Sequence, residues 1–259
     1  MFNIIIAAIV LVILFVLLSL SVVAGRRYGK AQLEKHAQNQ LEVVIVAEGA
    51  VFTLLALLVA FAFSGAYERF ENRKLHIIEE ANAISTAYQR IDLLAPAAQP
   101  ALRESFRQYV DAQLEFYKEA ARLRLYKKEL AEHNKLEDQI WTQTVAALKT
   151  TNDPTVTQVF LPVISNMLDN ENSGIALTRI HPPGAIFILL IGLAVLSGFL
   201  AGYSTAESKS KNPIHVMCYI VITVFTIFII LNLEFPRAGV IRVDGFDQIL
   251  VNVRDHMTQ

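Results

Sequence analysis

The sequence predicts an all-α membrane protein: four transmembrane helices, with a helical aqueous domain between the second and the third. Three observations predict it. Four apolar runs are each long enough to cross a hydrocarbon layer of about 30 Å as a helix. No glycine occurs from Ala66 through Ser173, and the few prolines there act as punctuation, which is the pattern of long helices. At 54% hydrophobic with 18% charged residues, the chain is too apolar for a soluble protein of its size yet carries a sizeable water-facing part.

The first span is 4–24. No basic residue precedes it, whereas Arg26, Arg27 and Lys30 follow it, so it reads as a retained helix rather than a cleaved signal. The second span, 43–66, passes into a charged helix without a proline, and only Gly49 and Gly65 interrupt it. One continuous helix therefore leaves the bilayer and becomes the first helix of the aqueous domain, ending near Leu94 at Ala95-Pro96. Its apolar positions Ile77, Ala81, Ile84, Tyr88 and Ile91 recur at steps of three and four, giving one packing stripe.

A second domain helix over 100–150 carries Phe106, Tyr109, Val110, Leu114, Tyr117, Leu123, Leu130, Leu136 and Ile140. Its length calls for a break or a partner, and His133-Asn134 is the place for a break. Asn152-Asp153-Pro154 starts a third, with Asp153 as N-cap and Pro154 at the first position, running to 167–168. Three helices over 67–183 suggest an up-and-down bundle. His181-Pro182-Pro183-Gly184 then resets the chain before spans 185–203 and 214–233. Residues 1–66 and 184–234 thus form two membrane hairpins. The tail 235–259 places Phe246, Ile249, Leu250 and Val253 at helical spacing, a short amphipathic helix suited to the membrane or to the bundle.

Loop charge gives an orientation. Residues 25–42 carry Arg26, Arg27, Lys30 and Lys35, and residues 204–213 carry Lys209 and Lys211. The positive-inside rule puts both loops in the cytoplasm of a multi-pass cell (inner) membrane protein, and the middle domain outside. Arg69, Arg73, Lys74, Arg179 and Arg237 flank the spans on the opposite side and weigh against that placement.

Few residues offer chemistry. Glu48 is the one acid inside a span; burying its charge is costly, so it faces the protein interior, a water cavity or a cationic partner, or reaches the nearby interface. Thr53, Leu57 and Phe61 share one face of the second span, with Ser64 and Glu68 near its continuation. In a ring of identical subunits that face forms an apolar constriction; in a lone chain it is packing. Arg69, Arg73, His76 and Glu80 follow at steps of three and four, where Arg73 or His76 is placed to pair with Glu80, as a solvated helix face or a charged mouth. Ala194, Gly198 and Gly202 repeat every fourth residue of the third span, a stripe on which two backbones can approach closely.

Catalysis has no foothold. The histidines at 36, 76, 133, 181, 215 and 256 show no metal-binding spacing, and Glu79, Glu80 and Asp92 make no metal site. No nucleophile motif or phosphate-binding loop occurs, and no cofactor is expected. Cys218, the only cysteine, excludes an internal disulfide and a cysteine-based zinc site. A net charge of −1 leaves no footprint for nucleic acid.

The stretch from Phe61 through Tyr67-Glu68-Arg69-Phe70-Glu71-Asn72-Arg73-Lys74-Leu75 resembles the end of the second span in bestrophins. Residues Glu79–Leu94, together with Glu234-Phe-Pro-Arg237-Ala-Gly-Val-Ile-Arg242-Val, are similar to the bacterial bestrophin-like membrane family. With the Gly25-Arg26-Arg27 after span one, the likeness covers nearly the whole chain. Bestrophins are pentameric anion channels whose second span lines the pore with a three-residue hydrophobic neck. Matching Tyr67 to the family tyrosine puts Phe61, Leu57 and Thr53 at the neck. The resemblance thus implies a homo-oligomer in the lipid bilayer with inorganic anions as partners, and a middle domain in the cytoplasm, opposite to the loop charge. Thr53 departs from an apolar neck, Phe70-Glu71 replaces a Trp-Trp pair, and no acidic calcium clasp is found, so calcium gating is not carried over.

Overall fold

A computed structural model describes residues 2–33, 39–121, 127–206, 214–237 and 239–257. Lys35, His36, Leu123, Lys209 and Lys211, invoked above, lie outside them. Eight helices occur among the described residues and no strand: α1 (Phe2–Leu33), α2 (Asn39–Arg90), α3 (Gln99–Ala121), α4 (Lys127–Thr151), α5 (Pro154–Arg179), α6 (Gly184–Ser204), α7 (Ile214–Glu234) and α8 (Asp247–His256). Four of them, α1, α2, α6 and α7, are long and apolar enough to cross a membrane. At 52 residues, α2 is longer than a membrane crossing requires. Gly65 does not interrupt it.

The chain divides into two compact units. One comprises residues 1–68, 181–235 and 239–241; the other comprises 69–180, 236–238 and 242–259.

In the first unit, α1 packs on α6 and α7. The α1–α6 contact is backbone against backbone. A Cβ on Gly202 would lie 2.1 Å from the carbonyl oxygen of Val22, and one on Gly25 would lie 1.9 Å from that of Phe199. Glycine is the residue that permits this approach, and in lipid such close packing holds helices together. A Cβ on Gly198 would make only ordinary 3.5 Å contacts with Ser21 and Val22, and Ala194 is fully buried. Ser21 adds a hydrogen bond from its Oγ to the carbonyl of Val195 at 2.5 Å. Beside this seam the Tyr28 ring sits 6.1 Å from Phe199 and 6.2 Å from Tyr203. At the end of α7, Asn232 donates to the Phe228 carbonyl (2.7 Å) and accepts from the Val240 amide (2.6 Å), which turns the chain back on itself. Glu234, fully buried, meets His181 Nδ1 at 2.9 Å.

In the second unit, the lower part of α2 joins α3, α4, α5 and α8 around Ile84, Ile91, Leu102, Phe106, Tyr109, Ile140, Phe160 and Ile164, all buried. A short 3-10 turn, Ile91–Leu93, ends α2 before Pro96. Asn152 closes α4 in the left-handed region (φ 49°), its amide bonded to the Leu148 carbonyl at 3.0 Å, and Asp153 Oδ1 accepts from the Thr155 amide at 2.7 Å to start α5.

Two expectations fail here. His133-Asn134 is not a break, because it lies inside α4; the described residues of 100–150 form two helices, α3 and α4, so among the described residues the unit holds four bundle helices rather than three. His133 is buried inside α4 with its ring 4.6 Å from that of Tyr109, and this tertiary contact outweighs the weak helix propensity of the His-Asn pair. Nor does the third helix stop at 167–168: α5 continues to Arg179, through Pro162. Proline offers no amide hydrogen, which loosens the carbonyls of the preceding turn, and Arg90 Nη1 donates to one of them, that of Val159, at 3.1 Å.

The tail helix α8 packs on α3. Arg254 grips Asp111 with two hydrogen bonds (2.7 and 2.9 Å), and the Met257 carbonyl accepts from Tyr88 Oη and Arg107 Nε, both at 3.0 Å.

Candidate functional site

Span two is the least covered of the four. Only 6% of its apolar stretch is buried within the chain, against 22 to 28% in the others. At about 100° per residue, its covered positions, Leu55 and Ala66 with half-buried Phe52, Val59 and Glu48, fall on one side. Thr53, Leu57, Phe61, Ser64 and Glu68 fall on the other, and all five are exposed, Phe61 to 69%. The trio thus shares one face, which no helix among the described residues covers. The Thr53 hydroxyl donates back to the Gly49 carbonyl of the preceding turn at 2.8 Å.

Glu48 occupies the opposite side. The hydroxyl of Ser204, at the end of α6, reaches its carboxylate, and the same hydroxyl also lies 3.3 Å from the Ala201 carbonyl. Tyr219 of α7 is its other polar neighbour and packs edge-on against Phe52 at 5.3 Å. The acid is therefore turned toward protein.

In the second unit the charged residues after span two separate from one another. Arg73 is buried and caps α5: its Nη2 donates to the Ile180 carbonyl at 3.0 Å and its Nε to that of Leu177 at 3.3 Å, where unpaired carbonyls and the helix dipole favour a cation. Arg69 is half-buried. His76 is buried against α5 so closely that a Cβ on Gly174 would lie 2.4 Å from its Nε2, which explains a glycine in mid-helix. Burial pushes its pKa down.

The expected pairing of Glu80 with Arg73 or His76 does not occur. Glu80 is fully buried and accepts hydrogen bonds from Gln113 Nε2 and, at 2.6 Å, from Tyr117 Oη of α3. Burial drives its carboxyl up to about 7, against the pull of Tyr117, Gln113 and Arg237. Spacing along one helix identified the residues that share a face. It had no access to partners supplied by α3 and the tail, which compete for the same side chains.

Among the described residues no three His, Cys, Asp or Glu side chains gather as a metal site.

Comparison with known proteins decides the family. A model described as a bestrophin-like domain matches residues 10–245. The chain belongs to the bestrophin-like family. The fold of this bestrophin-like protein is similar to crystal structures of a bacterial bestrophin homolog from Klebsiella pneumoniae. One variant superposes with a TM-score of 0.72 at 12% identity, covering 98% of this chain and 99% of that one. Another structure of that homolog gives 0.68 at 13%, covering 97% and 98%. A variant of a protein described as a membrane protein gives 0.60 at 14%, covering 98% and 99%. At these identities the likeness is one of fold. No curated protein matches the sequence. The four apolar helices and the family together make this a membrane protein of the bestrophin type.

Proposed function

We propose that this bestrophin-like protein is an oligomeric ion channel of the cell (inner) membrane, with Thr53, Leu57 and Phe61 of each second span facing a common axis. The observation that carries the reading is the uncovered face: three residues matching the bestrophin neck stand on a side of α2 that is exposed among the described residues. Copies of α2 around an axis would make that face a ring of apolar side chains, narrow enough to exclude water when closed. Five subunits and inorganic anions follow from the bestrophin pattern. A specific observation favours cations instead. Glu68 is the exposed charge on that same face, whereas Arg73 is engaged at the end of α5.

Ion flux from liposomes tests the reading. The wild-type protein is expected to conduct, and Phe61→Ala to raise the flux several-fold by widening the constriction. Zero flux in both, with an intact oligomer by mass in detergent, would favour the rival, a non-conducting scaffold or sensor. The polar groove of the second unit, about 640 Å³ between α2 and α5 and lined by Asn82, Thr86, Asn166 and Asn170, would suit that role. The reversal potential in asymmetric salt assigns the ion, and Glu68→Gln should shift it toward anions if cations carry the current.

For orientation we retain the loop charge, with the middle domain outside. A cysteine placed in the 97–100 turn of a protein lacking Cys218 is then expected to react with an impermeant reagent on intact cells. Reaction only after lysis would put the domain in the cytoplasm, as in bestrophins.

A further inference from the structure

The buried Glu80 lies beside the segment that holds the C-terminal helix in place. Tyr117, whose hydroxyl Glu80 accepts, carries the Arg237 guanidinium over its ring at 4.1 Å. Arg237 in turn is clasped by both oxygens of Asp247, the first residue of α8, at 2.9 and 3.1 Å, with Asp244 at 3.8 Å. The titratable groups facing Glu80 are Tyr117 from α3 and Arg237 and Asp247 from the tail, with Asp244 next to Arg237 and paired with Arg242; on α2 itself His76 stands one turn away.

We propose that residues 242–257 form a strap whose docking on α3 is set by the proton on Glu80: closed while the carboxyl is protonated, and opening when it ionises. With the proton in place the charges balance, Arg237 being paired with Asp247 and Asp244 with Arg242. Without it, Glu80 adds one negative charge in excess, enclosed in the fold and repelled by Asp247. Water entry or outward movement of Asp247 relieves that excess, because an unsolvated charge costs far more than an exposed one. The far end of the strap has contacts of its own, Arg254 on Asp111 and the Met257 carbonyl on Tyr88 and Arg107, so opening starts at Asp247. The carboxyl titrates near neutrality, which places the switch where cells operate. The proposal does not depend on conduction.

Hydrogen exchange of the α8 amides in the full-length protein, held in detergent and corrected for the intrinsic pH dependence of exchange, tests it. Protection over 247–256 is expected to fall at least tenfold between pH 6 and pH 8. Glu80→Gln should hold the pH 6 level at pH 8. Arg254→Ala should lower protection at both pH values while keeping the same ratio between them. Should Glu80→Gln fail to fold, Tyr117→Phe supplies the check: losing the hydrogen bond that favours the carboxylate moves the midpoint to higher pH. Protection unchanged across the range in the wild type, or falling equally in Glu80→Gln, overturns the proposal.

Discussion

Gly202→Ala is expected to cost the first unit about 3 kcal/mol or more, and Gly25→Ala a similar amount, read as loss of monodisperse protein and a lowered melting temperature in detergent. The cause is geometric. The added methyl would sit 2.1 Å from the Val22 carbonyl oxygen in one case and 1.9 Å from the Phe199 oxygen in the other. A flexible side chain can rotate aside; a helical backbone can move only by shifting the whole helix. The α1–α6 axes must then part, and the Ser21 bond to Val195 parts with them. Gly198→Ala, on the same stripe, is the control, since its methyl would make an ordinary 3.5 Å contact and should be tolerated. If Gly202→Ala melts with Gly198→Ala, the close approach is not what holds these helices.

The second large effect is a pair of opposed pH slopes in the helical unit. Burial holds Glu80 protonated up to about 7, from an ordinary 4.5, and holds His133 neutral down to about 4, from an ordinary 6.5. Between pH 4.5 and 6.5 the folded chain therefore keeps a proton on Glu80 that the unfolded chain has lost. It lacks one on His133 that the unfolded chain has gained. The two differences cancel, so the wild-type stability should be nearly flat there. Each single variant uncovers the other residue. In Glu80→Gln, stability should fall as the pH drops from about 6.5 to about 4, because only the unfolded chain takes up the His133 proton. In His133→Phe it should fall as the pH rises from about 4.5 to about 7, because only the folded chain retains the Glu80 proton. Each displacement is worth about 3 kcal/mol. Urea unfolding of the variants across this range measures it, and parallel slopes in the two variants would refute the assignment.

The four spans were legible because each satisfies a one-dimensional requirement, enough apolar residues in a row to cross a bilayer. The unbroken α2 was legible for the same reason, as a run without proline. The Asp153 start of α5 is equally local: the capping oxygen and the amides it accepts lie within three residues. What eluded sequence reasoning depends on partners distant in the chain. His133-Asn134 resembles a helix break until Tyr109, 24 positions earlier, covers the imidazole. Arg73 and Glu80 sit at a spacing open to pairing, yet the end of α5 takes one and α3 takes the other. A stripe of small residues in α6 signals close packing but does not name α1 as its counterpart. The Thr53–Phe61 face was legible as a face, while its exposure required knowing which side of α2 the remaining helices occupy.

The seam between α1 and α6 has a mechanical consequence. Their backbones interlock at Gly25 and Gly202, and Tyr28 lies against Phe199 and Tyr203 beside the lock. Neither helix can slide past the other, so in a thinner or thicker bilayer the pair must tilt or sink as one float. An aromatic cluster of this kind favours the headgroup level. The sparsely covered second span has no such clamp. Lipid thickness would act first on its tilt, making chain length and sterol content variables to control in any reconstitution.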